Sequence, residues 1–192
     1  MKKIALVLVA GLSLATAAKA QIRFGVKAGA NFATITSADG AKTLVGLNGG
    51  ALVNIPLTDQ LSLQPEAIYS GQGAKADGDF SLHLNYINVP VLLKYSLPVG
   101  VFFETGPQLG LLISAKEKSG GASEDVKSFY KSTDVAWAFG AGYLIPDVNL
   151  GFDVRYNLGL TKLADGSDSK NGVFQLGVFY LFGDSKSKSS KK

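Results

Sequence analysis

The sequence has no cysteine and only one histidine, His83, among its 192 residues. The lack of cysteine excludes disulfides and thiolate metal ligands. A single histidine excludes a histidine-rich metal site, and any Ser-His-acid triad would have to use His83. We therefore predict that the protein holds no metal and no cofactor.

Long apolar runs are also missing beyond the N-terminus. No segment after residue 20 has 18 consecutive apolar residues, so no membrane-spanning helix is predicted. Residues 1–20 begin with Lys2 and Lys3, continue with an apolar stretch at 4–15 and end in Ala-Lys-Ala. This pattern predicts a signal peptide that is cleaved before Gln21. An uncleaved anchor is the alternative, but the stretch is shorter than the roughly 20 residues that a spanning helix needs.

The formal net charge of +4 resides at the two ends of the chain. Removing residues 1–20 takes away three lysines and lowers the charge to +1, while residues 183–192 carry +3. The part between them, 21–182, is therefore about −2, which gives no electrostatic support for a nucleic-acid partner. We predict one domain at 21–182 and a disordered, Ser/Lys-rich basic tail at 183–192.

The sequence is rich in apolar residues that recur at every second position, which is the period of a β-strand. In the clearest case, Phe152 and Val154 alternate with Asp153 and Arg155. Eight stretches show this pattern: 23–32, 44–55, 61–72, 82–95, 99–113, 133–145, 148–158 and 173–182. The sequence thus predicts an all-β protein with an even number of strands.

The connections between these stretches alternate in length. Long polar segments occur at 34–43, 73–81, 114–132 and 161–172, whereas the short turns are each marked by a proline, Pro56, Pro98 or Pro146. Outer-membrane barrels have short periplasmic turns and long outer loops. We therefore predict a closed, eight-stranded, antiparallel up-and-down transmembrane β-barrel in the outer membrane, with both termini periplasmic. Three further prolines lie within strands and suggest bulges or local irregularities: Pro65, Pro90 and Pro107.

The polar face of the predicted strands is rich in glycine and carries four cations and four anions. An eight-stranded barrel has room only for side chains inside, and buried charges need partners. A lumen charge network is therefore predicted, with the apolar face toward lipid; a soluble lipocalin-type barrel would have the reverse arrangement. We expect Glu66 to pair with Lys94, or with another cation such as Arg155. The network residues are Arg23, Lys27, Glu66, Lys94, Glu104, Asp134, Asp153 and Arg155.

The last strand looks like the signal that the barrel-assembly machinery reads, because Gln175, Gly177, Tyr180 and Phe182 have a polar-x-Gly-x-x-aromatic-x-aromatic spacing. That machinery during insertion, and outer-membrane lipid afterwards, are the predicted partners. Four stretches, QPEAIYSGQG at 64–73, YINVPVLLKY at 86–95, FETGP at 103–107 and RYNLGL at 155–160, resemble the PorT-like outer-membrane β-barrel domain family. The resemblance implies an outer-membrane barrel and an accessory role in protein secretion.

Three kinds of function remain open for a membrane barrel, beside the soluble lipocalin-like carrier that the reverse orientation of the faces would imply. The leading hypothesis is a non-enzymatic barrel that serves envelope structure, contacts a protein partner through its outer loops, or assists secretion. A lipid-modifying enzyme would use His83, which follows Ser81 by two residues near the predicted outer rim. A narrow pore is disfavoured, because porin-type aqueous channels need about 16 strands.

Overall fold

The computed structural model describes residues 22–36, 40–76 and 80–183. The predicted signal peptide at 1–20 and almost all of the predicted tail lie outside these residues. The described chain forms nine strands: β1 (Arg23–Thr36), β2 (Lys42–Pro56), β3 (Leu61–Lys75), β4 (Ser81–Ser96), β5 (Val101–Ser119), β6 (Ala122–Asp125), β7 (Thr133–Ile145), β8 (Leu150–Gly159) and β9 (Lys170–Leu181).

All strands except β6 form one closed barrel. Each pairs antiparallel with its neighbour in the chain, β5 pairs with both β4 and β7, and β1 pairs with β9 to close the sheet. The predicted fold class, an eight-stranded antiparallel up-and-down β-barrel, is confirmed. Nowhere in the described residues is there a helix that is long and apolar enough to cross a membrane.

The two rims of the barrel differ in the length of their connections. The turns 57–60, 97–100 and 146–149 have four residues each, at the positions where prolines predicted short turns. At the other rim the strands run further than the sequence pattern predicts, so that β1 reaches Thr36, β3 reaches Lys75 and β9 begins at Lys170. The long connections are therefore shorter than expected. We call the two ends the short-turn end and the long-loop end.

The long polar segment predicted as a loop at 114–132 contains β-structure. The strand β5 continues to Ser119, turns at Gly120 and Gly121, and pairs with β6. Both glycines have positive φ, 54° and 86°, as a two-residue hairpin turn with φ > 0 at both central positions requires. The Gly-Gly pair was the available sequence signal. We call the segment 114–132, including this turn, the outer hairpin.

The three prolines inside strands do not shift the register. The pairing skips residues next to them, as at Glu66 in β3, but continues in the same register on either side. The β4–β5 register shift lies instead between Asn85 and Tyr86. The expected local irregularity is thus an interrupted ladder, because proline lacks a donor, and not a bulge at any of the prolines.

Along the barrel strands, polar and apolar side chains point to opposite faces. In β8, Phe152 and Val154 are 45% and 44% exposed, whereas Asp153 and Arg155 are 5% and 2% exposed. The charged face therefore points into the barrel and the apolar face outward, which is the reverse of a lipocalin-type barrel. A surface of this kind suits lipid.

Candidate functional site

The middle of the lumen holds three cationic and three anionic side chains that the alternation of the strands directs inward. Each of these residues is at most 5% exposed. Because the numbers of the two signs are equal, the group is neutral as a whole, which a buried set of charges requires. We call this group the ionic cluster; it consists of Lys27, Glu66, Lys94, Glu104, Asp153 and Arg155.

Arg155 is the centre of the ionic cluster. Its Nη1 and Nη2 donate to the two carboxylate oxygens of Glu66, both at 2.9 Å. Its Nε and Nη2 also donate to Oε1 of Glu104, at 2.9 and 2.7 Å. The guanidinium thus holds carboxylates from β3 and β5 across the lumen, using the fixed fork of donors that suits bidentate pairing.

A second ion pair joins β1 to β8. Lys27 Nζ lies 2.6 Å from Asp153 Oδ1, and both side chains are 2% exposed. Gly177 of β9 faces this pair, and a Cβ built at Gly177 would lie 2.6 Å from Lys27 Cε and 3.0 Å from the Asp153 carboxylate. Glycine at this position therefore provides the space that the ion pair occupies.

Lys94 does not pair directly with Glu66, which corrects the first of the two expected pairings. Its Nζ lies 3.4 Å from the ring centroid of Phe102 and 4.6 Å from that of Phe179. It also donates a long hydrogen bond, 3.4 Å, to Gln64, which in turn donates to Glu66 at 2.9 Å. Two aromatic faces and an amide thus surround this ammonium group, an arrangement that cation–π attraction favours.

Two of the eight predicted network residues lie outside the ionic cluster. Arg23 is at the short-turn end, only partly buried, and forms no ion pair within the described part of the chain. Asp134 is buried near the long-loop end, where it accepts hydrogen bonds from Thr161 at 2.6 Å and Asn171 at 3.1 Å. The prediction that they join the network is wrong, because position along the strand separates them from the other charges.

Neutral amides form a second buried group that charge counting did not reveal. The side chain of Asn31 donates to Ser70 Oγ at 2.9 Å and to the Gly71 carbonyl at 2.8 Å. Its oxygen accepts from Asn48 at 2.7 Å and from Gln175 at 2.9 Å. These contacts join β1, β2, β3 and β9. An asparagine on the polar face of a strand gives no sequence signal for such a role.

Apolar side chains fill the lumen at both ends. At the short-turn end, Leu52, Phe102, Phe179 and Leu181 form a cluster that we call the apolar plug, each at most 2% exposed. At the long-loop end a larger group, the rim cluster, includes Val126 of the outer hairpin. Its members are Ile35, Ala74, Leu82, Leu84, Tyr86, Leu112, Ala115, Val126 and Leu163. These two layers place apolar side chains at lumen positions where strict alternation would predict polar ones.

The residues of the proposed assembly signal divide between the two faces of β9. Gln175 and Gly177 point into the lumen, where they contact the Asn31 group and the Lys27–Asp153 pair. Tyr180 and Phe182 are 41% and 50% exposed on the outside, with ring centroids 5.3 Å apart in an edge-to-face arrangement. The two lumen residues therefore have a role in packing.

The single histidine lies on the outer part of β4. His83 Nε2 is 3.1 Å from Ser81 Oγ, so a serine and a histidine are within hydrogen-bond distance. The charged groups that act most on His83 are Lys118 and Lys75. Neither is a carboxylate that could orient the ring as the third member of a triad does.

A closed barrel with an apolar exterior and a sealed polar interior defines the class of small integral outer-membrane β-barrels. The chain belongs to the outer membrane protein β-barrel domain family, whose model matches residues 15–165. This membership implies an outer-membrane location. No protein of curated function has a detectably similar sequence.

Solved structures with a similar fold share little sequence with this chain. Neisserial surface protein A (NspA) is 19% identical, with a TM-score of 0.54 over 83% of this chain and 97% of that one. Ail, the attachment invasion locus protein of Yersinia pestis, is 20% identical, with a TM-score of 0.50 over 83% of this chain and 98% of that one. At this level of identity the similarity shows the fold alone.

Proposed function

We propose that the protein is a non-enzymatic outer-membrane barrel that anchors the outer hairpin at the cell surface for contact with a protein partner. The observation that carries this proposal is the filled lumen. The apolar plug, the ionic cluster and the rim cluster follow one another along the barrel. In the part of the barrel that the structure describes, such a filled interior leaves no aqueous path along the barrel axis.

The outer hairpin supports a role in contact. Val126 and Tyr130 pack on the rim cluster, while Phe129 between them is 74% exposed. Backbone hydrogen bonds fix the segment on the barrel, including Val126 N to the Ala115 carbonyl at 3.0 Å and Lys131 N to the Leu163 carbonyl at 2.8 Å. A rigidly held, exposed aromatic residue is the kind of side chain that anchors protein interfaces.

The alternative of a lipid-modifying enzyme is less well supported. Ser81 and His83 are close, but the described charged residues that act on His83 are lysines, which do not raise the basicity of an imidazole as a carboxylate does. Among the described residues, no group of three or more His, Cys, Asp or Glu side chains could hold a metal ion. The geometry therefore favours a binding function over a catalytic one.

Several narrower features belong to the same proposal. These are the cleaved signal peptide at 1–20, periplasmic termini, insertion by the barrel-assembly machinery and membership of the PorT-like family. An accessory role in secretion is the form of partner contact that the PorT-like resemblance favours. The long-loop end, which carries the outer hairpin, then faces the outside of the cell.

Photo-crosslinking in cells tests the proposal. A photoreactive amino acid replaces Phe129 at the long-loop end or, as a control, Leu57 in a short turn, which is 49% exposed. A discrete crosslinked protein is expected from position 129 and not from position 57. Crosslinks to a defined partner from position 57 alone would contradict the proposal. Purified protein in planar bilayers should also give no stable conductance steps.

A further inference from the structure

Five polar side chains lie together on the outward face of β3, β4 and β5, near the long-loop end. Ser81 of β4 is directly opposite Lys75 of β3 and Lys118 of β5, and His83 is directly opposite Lys116. Directly opposed residues of antiparallel strands project from the same face, with Cβ atoms about 5 Å apart. We call these residues, Lys75, Ser81, His83, Lys116 and Lys118, the basic rim patch.

The three lysines of this patch form no ion pair within the described residues, whereas lysines elsewhere at the long-loop end do. Lys131 Nζ lies 2.8 Å from Asp165 Oδ1, and Lys162 Nζ lies 2.5 Å from Asp168 Oδ1. These lysines hold the pKa of Asp165 and of Asp168 below the usual range for a carboxyl group, through hydrogen bonding and charge. Among the described residues, the lysines on one side of the rim are therefore paired with carboxylates, whereas the lysines of the patch are not.

Nearby carboxylates within the described residues compensate this charge only in part. Glu117 lies between two lysines of the patch in β5, but successive side chains of a strand point to opposite faces. Asp125 is opposite Lys116 in the β5–β6 pairing, yet its carboxylate accepts a hydrogen bond from the Lys127 backbone at 2.9 Å and forms no ion pair with Lys116. Because Asp125 projects from the same face as Lys116, the described part of the patch has three lysines against one carboxylate and keeps a net positive charge.

The height of the patch matches a lipid headgroup. The outward residues of β4 are apolar from Ile87 to Tyr95. With a rise of about 3.4 Å per residue and a tilt of roughly 40°, this run covers about 20 Å, and His83 lies about 10 Å above Ile87. The interfacial layer of a bilayer begins where the hydrocarbon core ends. The basic rim patch therefore faces sideways into this layer.

We propose that the basic rim patch binds the phosphorylated headgroup of a lipid in the outer leaflet. The lysines supply charge, and Ser81 and His83 supply polar groups that are already within 3.1 Å of each other. The sideways orientation favours a lipid over a soluble polyanion, which would approach from above the rim. Cationic side chains at a membrane surface attract anionic headgroups at close range. The proposal rests on the proposed orientation in the outer membrane.

Lipid binding by the purified barrel in detergent micelles tests the proposal. The probes are lipid A with its phosphates, the same lipid after enzymatic dephosphorylation, inorganic phosphate and sucrose octasulfate, with binding followed by native mass spectrometry. A Lys75→Gln/Lys118→Gln double variant should bind phosphorylated lipid A roughly thirtyfold more weakly at low salt. The matched Lys131→Gln/Lys162→Gln variant should bind within twofold of the original protein.

Three results would overturn the proposal. They are unchanged binding in the Lys75/Lys118 variant, equal binding of the dephosphorylated lipid, and a preference for sucrose octasulfate or inorganic phosphate over lipid A. All substituted lysines are at the surface, and an unboiled gel sample shows that each variant is folded. Binding of lipid A to the purified barrel in micelles does not depend on how the barrel is oriented in a cell. Its failure can therefore be told apart from a failure of the crosslinking experiment at Phe129.

Discussion

Replacing Glu66 by glutamine tests the ionic cluster most simply. The substitution keeps the shape of the side chain but removes one of three buried negative charges, so the cluster carries a net charge of +1. Arg155 then loses a carboxylate that accepts two of its hydrogen bonds at 2.9 Å. Breaking a buried ion pair costs about 3–5 kcal/mol.

We expect a loss of unfolding free energy near the lower end of that range, about 3 kcal/mol. The reason is that Glu104 still accepts two hydrogen bonds from Arg155, at 2.9 and 2.7 Å. The matched control is Glu124→Gln in β6, where the side chain is exposed. That control should cost less than about 1 kcal/mol, as surface charges usually do.

Denaturant unfolding in detergent micelles measures both changes. The protein has one tryptophan, Trp137, on the outward face of β7, and its fluorescence reports transfer out of the apolar surroundings. A Glu66→Gln cost below about 1 kcal/mol would refute the reasoning. A double-mutant cycle with Arg155→Met adds a second criterion, because the double variant again has equal numbers of both charges. Its cost should be at least about 1 kcal/mol less than the sum of the single costs.

Three further predictions concern the packing and the exterior of the barrel. Gly151→Ala should destabilise by about 1–3 kcal/mol in the same unfolding assay, because a Cβ would lie 2.1 Å from the Phe179 ring. The control Gly49→Ala, whose Cβ would meet no atom nearer than 3.4 Å, should hardly change the free energy of unfolding. Equal losses of stability in the two variants would contradict a crowded lumen. Val91→Arg should lower the free energy of unfolding in lipid vesicles by about 2–4 kcal/mol, and Val91→Leu should hardly change it. An arginine variant as stable as the original protein would argue against lipid at this face. Unboiled protein should migrate differently from boiled protein on a gel, since a closed barrel resists detergent; identical migration would contradict closure.

The barrel strands could be predicted from the sequence because burial on one face produces a strict two-residue period. The stretch 148–158 illustrates this, since every polar residue from Asn149 to Asn157 is buried and every apolar partner is at least partly exposed. The outer hairpin could not be predicted in the same way. Neither face of its β6 strand is buried, so only the Gly-Gly turn marks it in the sequence.

Which side chains contact each other inside the lumen could not be predicted from the sequence. Glu66 in β3 and Arg155 in β8 are 89 residues apart and belong to strands that are not neighbours in the sheet. They meet because the barrel is narrow and because the stagger of its strands sets the height of each side chain. That stagger cannot be read from alternation. The predicted pairing of Lys94 with Glu66 failed because the sequence does not show the height of each side chain in the lumen. In the structure, Phe102 and Phe179 lie beside the Lys94 ammonium group instead.

The most direct test of the central claim is a spin-label accessibility scan along β4 in lipid vesicles. The chain has no native cysteine, so single cysteines at Asn88, Val89, Val91, Leu92 and Leu93 can each carry a label. Labels at Val89, Val91 and Leu93 should be relaxed by oxygen dissolved in the bilayer and not by a water-soluble reagent. Labels at Asn88 and Leu92 should be shielded from both, because the lumen is packed. Access of the water-soluble reagent at Asn88 and Leu92, or a reversed alternation of oxygen accessibility, would contradict a sealed barrel with its apolar face in lipid.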